Sequence, residues 1–540
     1  MDLVPIKGRG TASNPRNRFE RLEHQPDPEA IDPDDPAPRT ELLRDPSRSI
    51  IARNTSPDVP FEASVNPYRG CEHGCVYCVW GDTPILMADG TTRALANLEV
   101  GDEIYGTVRD GFYRRYAKTS VLAHWETEKP AYRITLEDGT ELIASGDHRF
   151  LTLRGWKFIT GAEHGPGRRP HLTINDKLLG TGGLTSRGRT SSEYQLGYLC
   201  GIIRGDAHLA AHDYSTSGRT GTLYQFRLAL VDEPALERAS EYLAAFHVET
   251  SRFVFQERRG RRKKIHGIRA QRRSAFERIH ELIAWRAQTS LDWSAGFLAG
   301  IFDAEGSFSH GVLRIANTDA AIIETTSRAL RQLGFDYTLE RVTNARTRAI
   351  TNVRLLGGLR AHLRFFHGVD PAIIRKRDIA GRALKSRTLL GVVSIEPVGS
   401  APLFDITTGT GDFIANGVVS HNCYARPFHE YLGYSAGLDF ETKILVKEDA
   451  PELLRRELSS SRWAPQMIAI SGVTDPYQPA ERKLRITRGC LEVLAEFRNP
   501  VGIITKNHLV TRDIDIVREL AQHDAASVML SVTTLDNSLQ

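Results

Sequence analysis

Reactive side chains gather at four places in this chain of 540 residues. The first is Val418 to Cys423, VVSHNC. The Asn422 amide nitrogen can attack its own backbone carbonyl, close a five-membered succinimide and cut the chain behind it. His421, next door, can protonate or orient the scissile amide, and Cys423 offers a thiol that can take an acyl group by thioester exchange. The second place is Cys78, a matching thiol far upstream. The third is Cys71, Cys75 and Cys78, spaced Cys-x3-Cys-x2-Cys. Zinc with a fourth ligand such as His73 fits that spacing, which gives a reading of the uncut chain as a metal-binding regulatory module that is never excised. The fourth is a pair of acids closing two glycine-rich segments, LGYLCGIIRGDA and GFLAGIFDAEG. Gly197, Gly201 and Gly205 recur every four residues, as do Gly296, Gly300 and Ala304, so each helix carries a row of small residues on one face. Packing those faces together brings Asp206 and Glu305 to one end, where paired carboxylates bind a divalent metal such as Mg2+.

The flanks of the two thiols point further. Joining Tyr77 directly to Cys423 yields Cys71-x3-Cys75-x2-Cys423 followed by Tyr-Ala-Arg, which resembles the three-cysteine motif of the radical S-adenosylmethionine enzymes. That resemblance implies a [4Fe–4S] cluster on Cys71, Cys75 and Cys423, with one iron left open to chelate S-adenosylmethionine. From Cys78 the text CVWGDTPILMADGTTRALANLEVGDEIYG resembles the opening block of an intein of the Hint (hedgehog/intein) family. Ser145-Gly-Asp-His148 matches that family's Thr-x-x-His block, with Ser in place of Thr, and Asp405 matches an acid of its penultimate block. The resemblance implies that Ser145 and His148 bind and destabilise the Tyr77–Cys78 peptide while the Cys78 thiol attacks the Tyr77 carbonyl. Many members have a His where this chain has Gly411, so cyclisation of Asn422 is expected to lean on His421 and Asp405.

LAGIFDAEG and the weaker LCGIIRGDA resemble the two motifs of single-chain LAGLIDADG homing endonucleases. In the second, Arg204 and Ala207 depart from the pattern. The resemblance places the metal-binding acids at Asp206 and Glu305 and implies double-stranded DNA as partner. From Arg258 to Arg273 there are nine Arg or Lys and no acid. On strands of a saddle-shaped sheet these charges would neutralise phosphates while neighbouring side chains read the major groove. Lys263 or Lys264 could assist hydrolysis.

These residues require a multidomain fold. Residues 1–60 are rich in Pro, Asp and Arg and read as a disordered leader. Residues 61–77 begin the host. Residues 78–180 and 386–422 carry alternating apolar and polar runs with Asp-Gly turns, expected as short strands of an all-β Hint splicing domain. Residues 193–385 read as an inserted α+β endonuclease, ordered after the first glycine-rich helix as strand, helix, strand, strand, helix. Residues 423–540 alternate buried strands and helices, as in a partial TIM-like α/β barrel. TDPYQP, TK and SVTT resemble bacterial relatives of the spore photoproduct lyase, and Thr474, Asp475, Lys506 and Thr534 at strand ends are candidates for the S-adenosylmethionine pocket. The insert from Cys78 to Asn422 is 345 residues long, leaving 195 for the host, with about four strands where a radical barrel usually needs six. The host is therefore expected to be incomplete, and its substrate is not specified. Net charge is only +4, and four of the six cysteines sit in the motifs above. A disulfide framework is not expected, a reducing cytoplasm is, and no run is long and apolar enough for a signal peptide or membrane span.

Overall fold

The computed structural model describes residue 14 and residues 39–53, 61–72, 78–160, 171–184, 191–216, 219–257, 264–342, 349–385, 388–422, 426–435, 437–471 and 474–530. His73, Cys75, Tyr77, Lys263, Cys423 and Thr534 lie outside the described residues. Two compact units are present: Met1–Met87, Arg93–Gly180 and Leu389–Gln540 form one, and Ala88–Thr92 with Thr181–Thr388 the other.

In the first unit the central β-structure is a thirteen-stranded sheet. Its spine is not a run of short strands. Tyr113–Leu136 is a single strand of 24 residues, paired antiparallel with Leu389–Thr408. Register shifts at Val392/Ser394, Pro397/Gly399 and Thr407/Thr408 let the long ladder bend without ending. Alternate residues face a core that includes Val79, Ile85, Ile134, Phe150, Ile406, Phe413 and Val418.

The flanking segments build a second sheet in the same unit. Ala63–Val65, Ile468–Ile470, Val501–Thr505 and Ala526–Leu530 run parallel in that order, with Ile51–Arg53 antiparallel at the edge. Helices Ala450–Leu458, Ile486–Glu496 and Ile514–Ala521 belong to the same region. Ile50, Val65 and Tyr68, from before the insert, share a hydrophobic core with Ile444, Ile468, Leu494 and Ile503, from after it. Part of the stretch expected as a disordered leader thus forms strands. Glu41–Arg44 pairs in parallel with Lys443–Val446, and Ile51–Arg53 pairs with Ala63–Val65. Short apolar pairs such as Leu42-Leu43 and Ile50-Ile51 were enough to recruit these strands from a charged background.

The second unit repeats one pattern, helix, two strands, helix, two strands, helix. Its first copy starts with Ser192–Asp206 and ends with Arg273–Leu282, and its second starts with Leu291–Glu305 and ends with Gly358–Val369. Each copy carries a four-stranded antiparallel sheet. The strand His208–Thr216 follows the first helix directly and was absent from the sequence expectation. Its residues HLAAHDYST lack an apolar alternation, and pairing with Arg219–Leu230 holds it. Ser191 and Ser290 cap the two leading helices by accepting from the Tyr194 and Trp293 N–H groups. Among the described residues no helix is long and apolar enough to cross a membrane.

The leading helices touch through their small faces. A Cβ added at Gly197 would sit 2.1 Å from Trp293 O, at Gly201 2.4 Å from Phe297 O, and at Gly300 2.2 Å from Tyr198 O. Only glycine permits backbones this close.

Candidate functional site

Strand pairing gathers the candidate splicing residues. Val79–Trp80, just after Cys78, pairs with Glu141–Ser145 through Ala144 opposite Val79. The turn Ser145-Gly-Asp-His148 then leads into Arg149–Thr152, which pairs with Val418–His421 through Phe150 opposite Ser420. One four-residue turn thus links the strand paired beside Cys78 to the strand paired with the one that delivers Asn422.

Ser145 engages the Cys78 backbone three times: its N–H donates to Cys78 O at 2.9 Å, its hydroxyl lies 3.4 Å from the same oxygen, and the Cys78 N–H donates to Ser145 Oγ at 3.3 Å. His148 is fully buried, with Nε2 2.8 Å from Ser420 Oγ. Burial pushes the Cys78 thiol well up. Lys129 acts against this, Asp405 and Asp147 reinforce it, and Arg426 opposes it. Asp405 is buried in register with Trp125, so its charge bears on Cys78. Burial also opposes ionisation of Asp147, but Lys129 Nζ at 2.9 Å and the hydrogen bond from Ser145 together hold the carboxyl low.

The His421 imidazole is held neutral, first by burial and then by the Arg149 guanidinium. Arg149 Nη2 lies 2.9 Å from His421 Nε2. A guanidinium can only donate, so Nε2 accepts and the ring proton sits on Nδ1. The Trp156 ring packs edge-on against the imidazole with centroids 4.9 Å apart.

Asn422 is completely buried beside the turn Thr408–Gly411. The orientation of its carboxamide follows from its partners. The oxygen accepts from the Thr408 N–H at 2.9 Å and lies 2.9 Å from Thr408 Oγ1, and the nitrogen donates to Gly411 O at 2.9 Å. The Asn422 backbone N–H converges on the same carbonyl at 3.3 Å. Gly411 has φ +75°, a left-handed conformation that favours glycine. Its carbonyl oxygen thus meets both nitrogens of Asn422. Asp412 anchors the turn: it accepts from the Thr107 N–H at 2.5 Å, from the Thr107 hydroxyl and from Arg114 at 2.9 Å. Donors on the carboxamide oxygen stabilise charge as the nitrogen gives up a proton, and an acceptor on the nitrogen sharpens it as a nucleophile.

In the second unit, Asp206 and Glu305 end the two leading helices. Partial burial raises both carboxyls, and the Asp206 charge raises Glu305 further. Glu305 accepts from Asn317 Nδ2 at 3.2 Å. The nearby cation is Lys376, which was missed in the sequence. Its Nζ donates to Phe302 O at 3.0 Å and Asp303 O at 2.7 Å, and its charge favours ionisation of both acids. Two mutually repelling carboxyls at the helix ends fit a divalent cation. Asp303 is not part of that pair: it is buried and accepts from the Ala372 N–H at 2.7 Å, the Ile373 N–H at 3.0 Å and the Tyr198 hydroxyl at 2.9 Å. Arg204 donates to Ile283 O at 2.8 Å and stacks on Trp285, a structural contact. Lys264 is exposed, 3.9 Å from Glu257.

At the strand ends of the flanking sheet, Asp475 accepts from Thr505 Oγ1 and the Lys506 N–H, both at 2.6 Å. Thr474 Oγ1 donates to Tyr68 O at 2.7 Å. These two side chains tie strand ends together. Cys71 is half-buried, with its N–H donating to Phe440 O at 2.9 Å. Cys75 and Cys423, the other two cysteines of the proposed motif, lie outside the described residues. Among the described residues no group of three or more His, Cys, Asp or Glu could hold a metal ion.

Comparison with known proteins adds the following. A stretch of 117 residues is 38% identical to an uncharacterized protein of Mycobacterium tuberculosis, covering 22% of this chain and 34% of that protein. The chain thus spans about a third of the length of the curated relatives it matches first. The crystal structure of I-DmoI in complex with DNA and Mn aligns at 18% identity and TM-score 0.28, over 34% of this chain and 98% of that one. A DnaB intein from Synechocystis sp. PCC 6803 aligns at 12% identity and TM-score 0.22, over 64% and 98%. Residues 292–367 match the LAGLIDADG-like domain family.

Proposed function

We propose that the chain is a self-splicing precursor. The Cys78 thiol attacks the Tyr77 carbonyl, converting the amide to a thioester and freeing the Cys78 amine. The Cys423 thiol takes the acyl group by exchange. Asn422 Nδ2 then bonds to its own carbonyl carbon, the bond to the Cys423 nitrogen breaks, and that amine, receiving a proton, attacks the thioester to leave Tyr77–Cys423 as an ordinary peptide. Ser145 holds the upstream junction; Thr408 and Gly411 hold Asn422. The observation that carries this reading is the turn Ser145–His148, which binds Cys78 at one end and Ser420, two residues before Asn422, at the other. The common core of residues on both sides of the insert supports a host that is one domain once joined.

The excised insert is read as a divalent-metal-dependent endonuclease acting on double-stranded DNA. Asp206 and Glu305 would hold Mg2+, which supplies charge stabilisation and an activated water, and Lys376 is the cation beside them. Exposed Arg269, Arg314 and Arg341 on the strands would meet phosphates. The joined host is read as a radical S-adenosylmethionine protein with a [4Fe–4S] cluster on Cys71, Cys75 and Cys423, with Lys506 as its pocket candidate.

Variants of the full chain in reducing buffer test the splicing reading. Asn422→Ala should block release of the downstream segment while the upstream junction stays cleavable by added thiol, and Cys78→Ala should do the reverse. Equal, uncleaved behaviour of the unmodified chain and both variants would overturn it.

A further inference from the structure

Arg426 stands three residues after Cys423, in the host, and is fully buried. Its guanidinium pairs with Glu441, also fully buried, and donates to Gly437 O at 3.1 Å. It lies 5.1 Å from the ring centre of Phe440, a host residue, and 5.3 Å from that of Trp125, which belongs to the insert. Trp125 is no bystander to the chemistry. It packs with Cys78, Ala123, Ala131, Ala401 and Leu403 in one small cluster around the upstream thiol.

We infer that Arg426 is a specificity-determining residue for splicing: by stacking on Trp125 it makes the folded host flank a positioning element of the insert's upstream site. This rests on the splicing reading above. A buried guanidinium is costly without a carboxylate and well-placed acceptors. Here the carboxylate, the carbonyl and one ring all come from host residues 437–441, so the cation reaches Trp125 only when that part of the host has folded. The ring on the other side reports this arrangement to the walls of the Cys78 pocket. Arg426 is also one of the two cations that favour the charged form of the thiol. Excision removes Trp125 and leaves Arg426 with Phe440 and Glu441, so the contact exists only in the precursor. An insert placed in flanks without this cation and its folded support would keep its catalytic groups and lose the contact.

The test is a double-mutant cycle in the full chain, reading the rate of thiol-induced cleavage at the upstream junction. Arg426→Lys keeps a charge for Glu441, and Trp125→Leu keeps the volume largely apolar. Each should slow cleavage by about tenfold, and the double variant should be little slower than either alone. Hydrogen exchange over residues 443–530 reports whether the host has stayed folded, and Glu441→Gln paired with Arg426→Gln supplies a variant without an uncompensated buried charge. That pair should also cleave slowly with host protection intact. Multiplying effects in the double variant, or wild-type rates in Arg426→Lys and the paired glutamines with a folded host, would overturn the inference. Absence of any cleavage in the unmodified chain would overturn the splicing reading and take this inference with it.

Discussion

Replacing Gly300 by Ala sets two effects of opposite sign against each other. In a helix interior, Ala is favoured over Gly by about 1 kcal/mol. At Gly300, however, the added Cβ would meet Tyr198 O at 2.2 Å and Ile202 N at 2.8 Å, both backbone atoms of the facing helix. A carbon and a carbonyl oxygen settle at roughly 3.3–3.6 Å, so the helices must part by about 1 Å along a seam that Gly197, Gly201 and Gly296 hold equally tightly. Overpacking of this kind costs roughly 1–3 kcal/mol, and rigid backbone neighbours place Gly300 at the upper end. The net loss is about 2 kcal/mol, or roughly 4–8 °C in the Tm of a unit this size. Gly368 is the control. It lies within the helix Gly358–Val369 with nothing within 4 Å of an added Cβ, so Gly368→Ala should stabilise by up to about 1 kcal/mol. Calorimetry of the two variants reads the sign directly, and DNA cleavage should fall in Gly300→Ala as Asp206 and Glu305 separate. A Gly300→Ala variant as stable as Gly368→Ala would refute the close-packed seam.

Four further outcomes follow from the geometry. Asp206→Asn and Glu305→Gln should each abolish DNA cleavage and leave splicing intact, measured on supercoiled plasmid and by precursor mass. Both carboxyls are raised in the folded state, so without metal their ionisation costs stability as pH rises through the raised values. Mg2+ binds the ionised forms and should therefore raise Tm more at about pH 8 than at about pH 5, with no such difference in the double variant. Thr408→Val removes one hydroxyl from the Asn422 oxygen and keeps the N–H donor; downstream cleavage should slow by about 3- to 10-fold, and Thr408→Ser should restore it. Arg149→Met should slow the same step, because the proton of His421 is then no longer confined to Nδ1.

Much of this was legible in the sequence because it lies in local periodicity. The four-residue glycine spacing announces two helices that approach backbone to backbone, and the acids closing them follow from one turn of helix. Cys78 and Asn422 were legible from their own chemistry and their neighbours in the chain. The remaining partners are brought in through space by strand register and leave no local trace. Thr408 and Gly411 act on Asn422 largely through a main-chain N–H and a main-chain carbonyl, which leave little mark on residue type, with the Thr408 hydroxyl beside them. Arg149 reaches His421, and Lys376 reaches the acid pair, across more than seventy residues. Asp303 shows the same limit within one helix: it lies two residues before Glu305, about 200° around the helix, and so turns inward onto two backbone N–H groups. The 24-residue strand was unreadable because its length comes from its partner ladder, bulges included, rather than from an unbroken alternation.

The central claim is that two distant junctions become one bond. Intact-mass analysis of the chain expressed in reducing buffer tests it most directly, followed by sequencing of the peptide that spans the junction. The account predicts a 195-residue product in which Tyr77 is joined to Cys423, and a separate 345-residue insert beginning at Cys78. A single species that stays at 60.2 kDa, with Tyr77 still bonded to Cys78, would contradict it.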